Sequence, residues 1–233
     1  MKPGFRNDER TTQYHKLDVQ EAFPGDLNDM AVVEGQPADL DPVFQRFEKD
    51  FPSAERMERS HLEWLLSQGS YRMLLAQHRG FDALIGYAFV YEPETPAMIW
   101  LDYMAIDERF QNAGYGTFLF HTLALRRPDG WGVFVEVEIA DSPDPTTRRD
   151  QERRIAFYQR LGAHILPVPY RLPTEAGSLP MHLVFWPAPR LHILRQDQIK
   201  SAVATAYADI HNDIPHRDIV LKSFVSTIHD AYF

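Results

Sequence analysis

The chain has 233 residues, enough to bury a full core in one domain or in one domain with an appendage. It has no cysteine, which excludes a disulfide framework, a thiolate metal site and a cysteine nucleophile. A formal net charge of −9 argues against a nucleic-acid-binding protein, because such proteins need a basic face. No apolar run approaches the ~18 residues of a membrane span, and residues 1–10 lack the apolar core of a signal peptide, so we expect a cytoplasmic protein.

The first part of the chain predicts a strand and two helices. Residues 1–39 are polar and contain two short apolar pieces, 17–19 and 30–33, either of which would serve as a first strand. The Asp-Pro pair at 41–42 has the N-cap and first-turn pattern of a helix, and aromatic residues follow on one face. A second helix is predicted over about 54–67.

The middle of the chain predicts a sheet with helices between its later strands. The first three strands are separated by short turns, which suits antiparallel pairing. The predicted strands are Tyr71–Gln77, Ala83–Tyr91, Met98–Ile106, Val133–Ile139, about Ala163–Val168 and Leu179–Phe185. One helix should begin near Gly116, and a second should span Asp150–Leu161 after a charged link.

Residues 190–233 predict two amphipathic helices. The first apolar stripe follows helical spacing through Ile199, Ala202, Val203, Ala206, Tyr207 and Ile210. The second stripe, after Pro215, contains Val220, Leu221, Phe224, Val225 and Ile228. Both apolar stripes need a surface to pack against. That surface would be the chain's own domain, a second copy in a homodimer, or a pocket that the helices cover.

The most informative motif is Gln111-x-x-Gly114-x-Gly116, between an apolar strand and a helical pattern. The first N–H groups of a helix have no intrahelical partner and carry partial positive charge, so a phosphate fits there. Glycine lets the backbone approach such a ligand closely. A plain helix-start turn and a dinucleotide-binding fingerprint are the alternatives, although the fingerprint needs a small residue where Leu119 stands. A P-loop would need a lysine directly after Gly116.

The ordered set of motifs resembles the GNAT superfamily of acyl-CoA-dependent N-acyltransferases. Gln111–Gly116 matches the family's Arg/Gln-x-x-Gly-x-Gly/Ala loop, Phe157–Gly162 matches its late Tyr-x-x-x-Gly element, and Leu84–Ala88 is similar to its third strand. The resemblance covers about residues 40–188. It implies an α/β (α+β) fold with a mixed, mostly antiparallel central sheet flanked by helices. The N-terminal segment would be 1–39, the GNAT-like domain 40–189 and the C-terminal helical extension 190–233.

The same resemblance implies acetyl-CoA, or another acyl-CoA, as the donor. The backbone expected to hold its pyrophosphate comprises Gln111, Asn112, Ala113, Gly114, Tyr115, Gly116 and Thr117. The pantetheine arm would pair with Met104, Ala105 and Ile106 like an added strand, and the thioester would lie where this strand and Val133–Ile139 diverge. Holding thioester and amine together makes the reaction effectively intramolecular, which favours attack.

Three carboxylates and one phenol are the candidate catalytic groups. An amine of lysine-like pKa must lose a proton before it attacks. Alternation would put two sets of side chains on one side of their strands: Trp100, Asp102, Met104 and Ile106, and Phe134, Glu136 and Glu138. Charges in apolar strands are unusual, so Asp102, Glu136 and Glu138 are candidate bases; a solvated face or ion pairs with the Arg-rich helix are the alternatives. Tyr158 would protonate the leaving thiolate, or else is a core aromatic.

We therefore expect an enzyme, a GNAT-type N-acetyltransferase that passes acetyl from acetyl-CoA directly to a primary amine. An acyl-enzyme is not expected, because there is neither a cysteine nor a Gly-x-Ser-x-Gly elbow. The ten histidines form no metal-binding motif, so no metal is expected. The partner would be a small-molecule or peptide amine, with neither nucleic acid nor membrane. The alternative is a catalytically silent GNAT-shaped module that holds CoA or a nucleotide as a sensor.

Overall fold

In the computed structural model, which describes residues 27–80 and 84–233, an eight-stranded sheet separates two layers of helices. The strands are β1 Met30–Glu34, β2 Tyr71–His78, β3 Leu84–Tyr91, β4 Ile99–Ile106, β5 Gly132–Glu138, β6 His164–Ile165, β7 Arg171–Thr174 and β8 Gly177–Pro187, with a separate pair β9 Ile193–Leu194 and β10 Ala231–Tyr232. The helices are α1 Leu40–Asp50, α2 Arg59–Ser67, α3 Tyr115–Ala124, α4 Pro145–Arg160, α5 Gln196–Asp209 and α6 Arg217–Phe224.

The sheet order is β1-β2-β3-β4-β5-β8-β6, and β7 pairs with the first part of β8. All neighbouring strands are antiparallel except β4 and β5, which are parallel. A parallel pair needs a crossover, and α3 lies in the connection between these two strands. The mixed, mostly antiparallel sheet flanked by helices is confirmed.

Each face of the sheet has its own apolar core. One core is built with α3 and α4 and contains Leu119, Phe120 and Tyr158. The other is built with α1, α2, α5 and α6 and contains Phe47, which is fully buried and meets Tyr103 edge-on with ring centroids 4.7 Å apart. Full burial of one such side chain contributes about 1.5–3 kcal/mol, so both helical layers are held mainly by apolar packing.

The two C-terminal stripes are buried on the chain's own core. All six residues of the first stripe are buried there, as are Val220, Phe224 and Ile228 of the second. Polar contacts add to this packing: the Tyr207 hydroxyl donates to the carbonyl of Arg171, and the Tyr91 hydroxyl donates to Asp209. The helices α5 and α6 are therefore an integral layer over one face of the sheet.

Two predicted helix starts are wrong because a hydrogen bond near each start decides where the helix begins. The helix α2 begins at Arg59 rather than near residue 54, since the segment before it turns toward the sheet and the carbonyl of Glu55 accepts from the Tyr103 hydroxyl at 2.7 Å. The helix α4 begins at Pro145 rather than at residue 150, because Asp144 caps it and accepts from the Thr147 N–H at 2.8 Å.

The remaining differences concern short elements. The helix α1 begins one residue before the predicted Asp-Pro start. Of the two apolar N-terminal pieces, 30–33 lies within β1, whereas 17–19 lies outside the described residues. The strand predicted over 163–168 is reduced to β6, and the hairpin of β7 and β8 was not predicted. No helix within 27–80 or 84–233 is both long and apolar enough to cross a bilayer.

Candidate active site

A cleft opens through the middle of the sheet where β4 and β5 separate. The two strands pair only along Ile99–Leu101 and Val133–Val135, and beyond these residues their ends diverge. The cleft has a volume of about 600 Å³, part of it open to solvent. All four predicted catalytic residues line it, namely Asp102, Glu136, Glu138 and Tyr158, together with Glu55 and Arg154.

A β-bulge at Asp102 changes which side chains share a face. Tyr103 pairs with Phe89 and Leu101 pairs with Val90, so Asp102 is an extra residue in β4. The predicted set 100, 102, 104, 106 is therefore wrong as a single face. Trp100 packs in the core beneath α1 and α5, whereas Met104 and Ile106 pack with α3 and α4. Simple alternation missed the bulge because period-two reasoning assumes an uninterrupted ladder.

Asp102 and Glu136 form a buried pair of carboxyls on the α5 side of the cleft. The hydroxyl of Tyr71 donates to Asp102, and that of Tyr170 donates to Glu136. Burial raises the pKa of both carboxyls; the charge of Glu136 adds to the rise at Asp102, and the Tyr170 hydrogen bond opposes it at Glu136. Burial therefore makes both carboxyls retain protons more readily than free ones, and a pKa of about 7 suits Glu136 to exchanging a proton near neutral pH.

Glu55, Glu138 and Arg154 form a second charged group along the same cleft. The Arg154 guanidinium donates to Glu138. Glu138 thus forms an ion pair with the Arg-rich helix α4, which was the alternative to its being a candidate base. Burial raises the pKa of Glu55 to about 7, the charge of Glu138 adds to the rise, and Arg154 opposes it. Glu138 is therefore paired with the Arg154 guanidinium, while Glu55 is a weakly paired carboxyl at the cleft wall.

Tyr158 reaches the cleft from the opposite face of the sheet. It lies on α4, is 8% exposed and meets Phe120 edge-on with centroids 5.7 Å apart. Among the described residues its hydroxyl has no hydrogen-bond partner, although it lines the cleft. Burial raises the pKa of Tyr158 well above its ordinary value, so the phenol keeps its proton at neutral pH. Tyr158 therefore packs in the core and also presents its hydroxyl to the cleft, so its packing does not exclude a role as a proton donor.

The glycine loop leads into α3 with a backbone suited to an anion. Asn112 and Gly114 have φ values of 62° and 88°, and Gly114 is the N-cap of α3 without any side-chain cap. The first N–H groups of this helix therefore stay available. A Cβ on Gly116 would meet only ordinary contacts with Ile106 and Phe157 at 3.5 and 3.6 Å. The protein's own packing does not require glycine at 116, whereas a ligand lying close to the backbone would require it.

The outer part of β4 lies between this loop and the cleft. The Gln111 side chain donates to the carbonyl of Ile106 at 3.0 Å, which fixes the loop to the end of the strand. Opposite, Gly86 of β3 has no room for a side chain, since a Cβ there would lie 2.4 Å from Ile106 Cδ1. Met104, Ala105 and Ile106 thus form a firmly held strand whose free edge faces the diverging end of β5.

Sequence reasoning missed the groups that surround the carboxyl pair. Tyr71 and Tyr170 were unremarkable strand or loop aromatics, and Glu55 was expected on a helix. The sequence reasoning also missed His211, whose side chain lies near Glu136. This histidine follows Ile210, the last residue of the first C-terminal stripe, and stands four residues after Tyr207. That helical spacing from an apolar residue of the stripe was the one available sign that His211 faces the core. Within the described part of the chain, no group of three His, Cys, Asp or Glu residues is arranged to hold a metal ion.

Comparison with known proteins gives one family and a consistent set of structures. The model of the acetyltransferase (GNAT) family matches residues 40–163. A GNAT-family protein from Bacteroides thetaiotaomicron superposes with a TM-score of 0.57 at 20% identity, over 82% of this chain and 98% of that one. Arabidopsis thaliana NAA60, solved in complex with a bisubstrate analogue, gives a TM-score of 0.52 at 16% identity, over 67% and 97%.

The ribosomal-protein-S18-alanine N-acetyltransferase from Escherichia coli gives a TM-score of 0.50 at 17% identity, over 70% of this chain and 99% of that one. At these identities the likeness concerns the fold. No curated protein matches the sequence significantly.

Proposed function

Because the chain belongs to the GNAT acetyltransferase family, we propose that it transfers an acetyl group from acetyl-CoA to a primary amine by direct attack. The observation that carries this proposal is the cleft between β4 and β5. Tyr158 enters it from the α4 face, and the Asp102–Glu136 pair enters it from the α5 face. An acid and a base on opposite faces of the sheet suit a thioester and an amine that approach from opposite directions.

The donor side consists of residues 104–106 and 111–117. The pyrophosphate of acetyl-CoA would accept hydrogen bonds from the N–H groups at the start of α3, where the helix dipole also favours negative charge. The pantetheine arm would lie along the free edge of β4, which leads from this loop to the cleft. The thioester then arrives beside Tyr158. Acetyl-CoA is also the ligand of a solved structure of NAA60, which shares this fold with a TM-score of 0.51.

The acceptor side consists of Glu55, Asp102 and Glu136 with the hydroxyl of Tyr170. Its carboxyls favour a cationic ligand, and a protonated amine would supply the counter-charge that the buried pair lacks. Either a small-molecule amine or the amine of a peptide has this chemistry. We assign Glu136 as the base that takes the amine proton, because it combines a raised pKa with direct access to the cleft.

The proton balance of the reaction assigns a separate role to Tyr158. A protonated amine carries three hydrogens on nitrogen and the amide product keeps one. The base removes one proton before attack, and the C–S bond breaks as the C–N bond forms. Tyr158 gives its phenolic proton to the departing thiolate and recovers one from the attacking nitrogen, while the proton on Glu136 passes to solvent.

The proposal is tested by thiol release from acetyl-CoA across a panel of amines. The panel should include mono- and diamines, amino acids and short peptides, with binding of acetyl-CoA followed by thermal stabilisation. We expect thiol release that depends on the amine, and a stabilising effect of acetyl-CoA without any amine. Absence of both with every acceptor would refute acetyl transfer. Stabilisation by NAD instead would support the dinucleotide alternative.

A further inference from the structure

His211 lies outside the family-matched residues 40–163, yet its side chain lies beside the carboxyl of Glu136. The two side chains are 10% and 5% exposed, and Nε2 of His211 is 3.9 Å from Oε1 of Glu136. His211 lies two residues after the end of α5 and is buried. The C-terminal extension therefore supplies a titratable group to the wall behind the cleft.

The Nε2 atom of His211 is buried without a hydrogen-bond partner among the described residues. Leaving such an atom unpaired costs about 1–3 kcal/mol, so a buried orphan needs a reason. The ring is fixed by apolar contact: Tyr207 meets it edge-on with centroids 5.6 Å apart. The imidazole is therefore held in place while Nε2 faces a carboxyl slightly beyond hydrogen-bond distance.

We propose that His211 is a positioning residue for Glu136, with its Nε2–H directed at the carboxylate so that the ionised, proton-accepting form of Glu136 is favoured. This inference rests on the proposed function, in which Glu136 is the base. The 3.9 Å separation closes to a hydrogen bond when Glu136 becomes negative. A hydrogen bond to the charged form of a carboxyl lowers its pKa and so opposes the effect of burial.

The electrostatics around the imidazole assign the proton to Glu136 and not to His211. Burial lowers the pKa of His211, and with the smaller effects of the charges of His61 and Arg217 it falls to about 3. The imidazole thus stays neutral and acts as a hydrogen-bond donor. The groups that act on Glu136 are Tyr170, Trp100, Glu55, Asp102 and His211.

Three variants separate this role from a structural one. His211→Leu removes the N–H, His211→Gln keeps an N–H donor in a side chain of similar reach, and His216→Leu is the matched control. His216 lies in the same extension and bonds the carbonyl of Gly177 at 2.9 Å, away from Glu136. The readouts are kcat/KM against pH and the KM for acetyl-CoA.

We expect His211→Leu to lower kcat/KM roughly 10-fold at pH 7 and to move the rising limb of the pH profile to higher pH. The KM for acetyl-CoA should stay unchanged. His211→Gln should recover most of the loss, and His216→Leu should keep the wild-type profile. A wild-type pH profile in His211→Leu would overturn the inference while leaving acetyl transfer intact.

The tautomer of His211 gives a test that requires neither turnover nor a stable variant. Nitrogen chemical shifts of the wild-type protein should show a neutral ring with its proton on Nε2. A proton on Nδ1 would leave a lone pair facing Glu136 and would overturn the inference. Absence of both thiol release and stabilisation by acetyl-CoA in the wild type would instead refute the proposed function, and the two failures are thus distinguishable.

Discussion

The proposed donor side and the proposed acceptor side of the cleft use different parts of the polypeptide. The donor side is backbone: one continuous stretch, 104–117, offers a strand edge and the start of α3. The acceptor side is made of side chains from distant segments, with Glu55 before α2, Asp102 in β4 and Glu136 in β5. A site made of backbone tolerates change in its side chains, whereas a buried carboxyl network depends on each member. Substitutions on the two sides should therefore affect different kinetic constants.

The largest effect is expected for Glu136→Gln. An amide cannot accept the amine proton, so kcat should fall by about 10²- to 10⁴-fold, the usual contribution of a positioned base. Acetyl-CoA affinity should not change, because Glu136 is not on the donor side. The measurements are steady-state thiol release and calorimetric binding of acetyl-CoA. Glu63→Gln, on the exposed face of α2, is the control. Unchanged kcat in Glu136→Gln would move the base to Asp102 or Glu55.

Tyr158→Phe should lower kcat by roughly 10- to 1000-fold, because the thiolate would leave without a proton. The packing against Phe120 is retained by phenylalanine, so the melting temperature should stay near that of the wild type. Donor binding should also stay the same. Poor leaving groups should suffer more than good ones in this variant, which can be measured with acetyl thioesters of different thiol pKa. Equal rates for all of them would remove Tyr158 from the chemistry.

Gly114→Ala should weaken acetyl-CoA binding, and Gly69→Ala is its matched control. Both glycines have positive φ, 88° and 76°, so alanine costs each site about 1–2 kcal/mol of folding stability. Only Gly114 stands at the start of α3. We expect similar losses of thermal stability but a rise in the Kd for acetyl-CoA, about 10-fold, in Gly114→Ala alone. Equal affinities in both variants would argue against an anion site on this loop.

The smallest effect is a change of stability with pH. Burial raises the pKa of Glu55 from 4.5 to about 7, so within this window the folded protein holds a proton that the unfolded chain has released. The free energy of unfolding should therefore fall as the pH rises through it. We expect a melting temperature a few degrees lower at about pH 8 than at about pH 5.5, and a flatter dependence in Glu55→Gln. An unchanged slope in that variant would place the titration on other carboxyls.

The sequence predicted the strand, glycine loop and helix that we propose as the donor side, because the signals for these elements are local. Both glycines follow β4; Gly114 is the N-cap of α3 and Gly116 lies in its first turn, so one short motif contains the whole arrangement. The acceptor side could be predicted only in part. Asp102 and Glu136 stood out as charges in apolar strands, but their partners Tyr71 and Tyr170 come from other strands and loops. Such pairings depend on tertiary packing, which spacing along the chain does not encode.

The start of α2 and the bulge illustrate the same limit. The carbonyl of Glu55 accepts from Tyr103, which is distant in sequence and overrides the local helical pattern. The start of α4 is different, because Asp144 followed by Pro145 is a local capping signal of the same kind as the Asp-Pro pair at 41–42. The bulge at Asp102 has no sequence signal of its own.

That bulge also sets how β4 responds to changes in length. With one residue more than β3 requires, the strand presents Asp102 and Tyr103 toward α1 and α5, and then presents Met104 and Ile106 toward α3. Removing a single residue at 102 would leave the ladder complete and would retain Tyr103 on its face, so the strand would lose a carboxyl without losing its register. Evolution can therefore gain or discard this acid by insertion or deletion, independently of the neighbouring residues proposed to hold the donor.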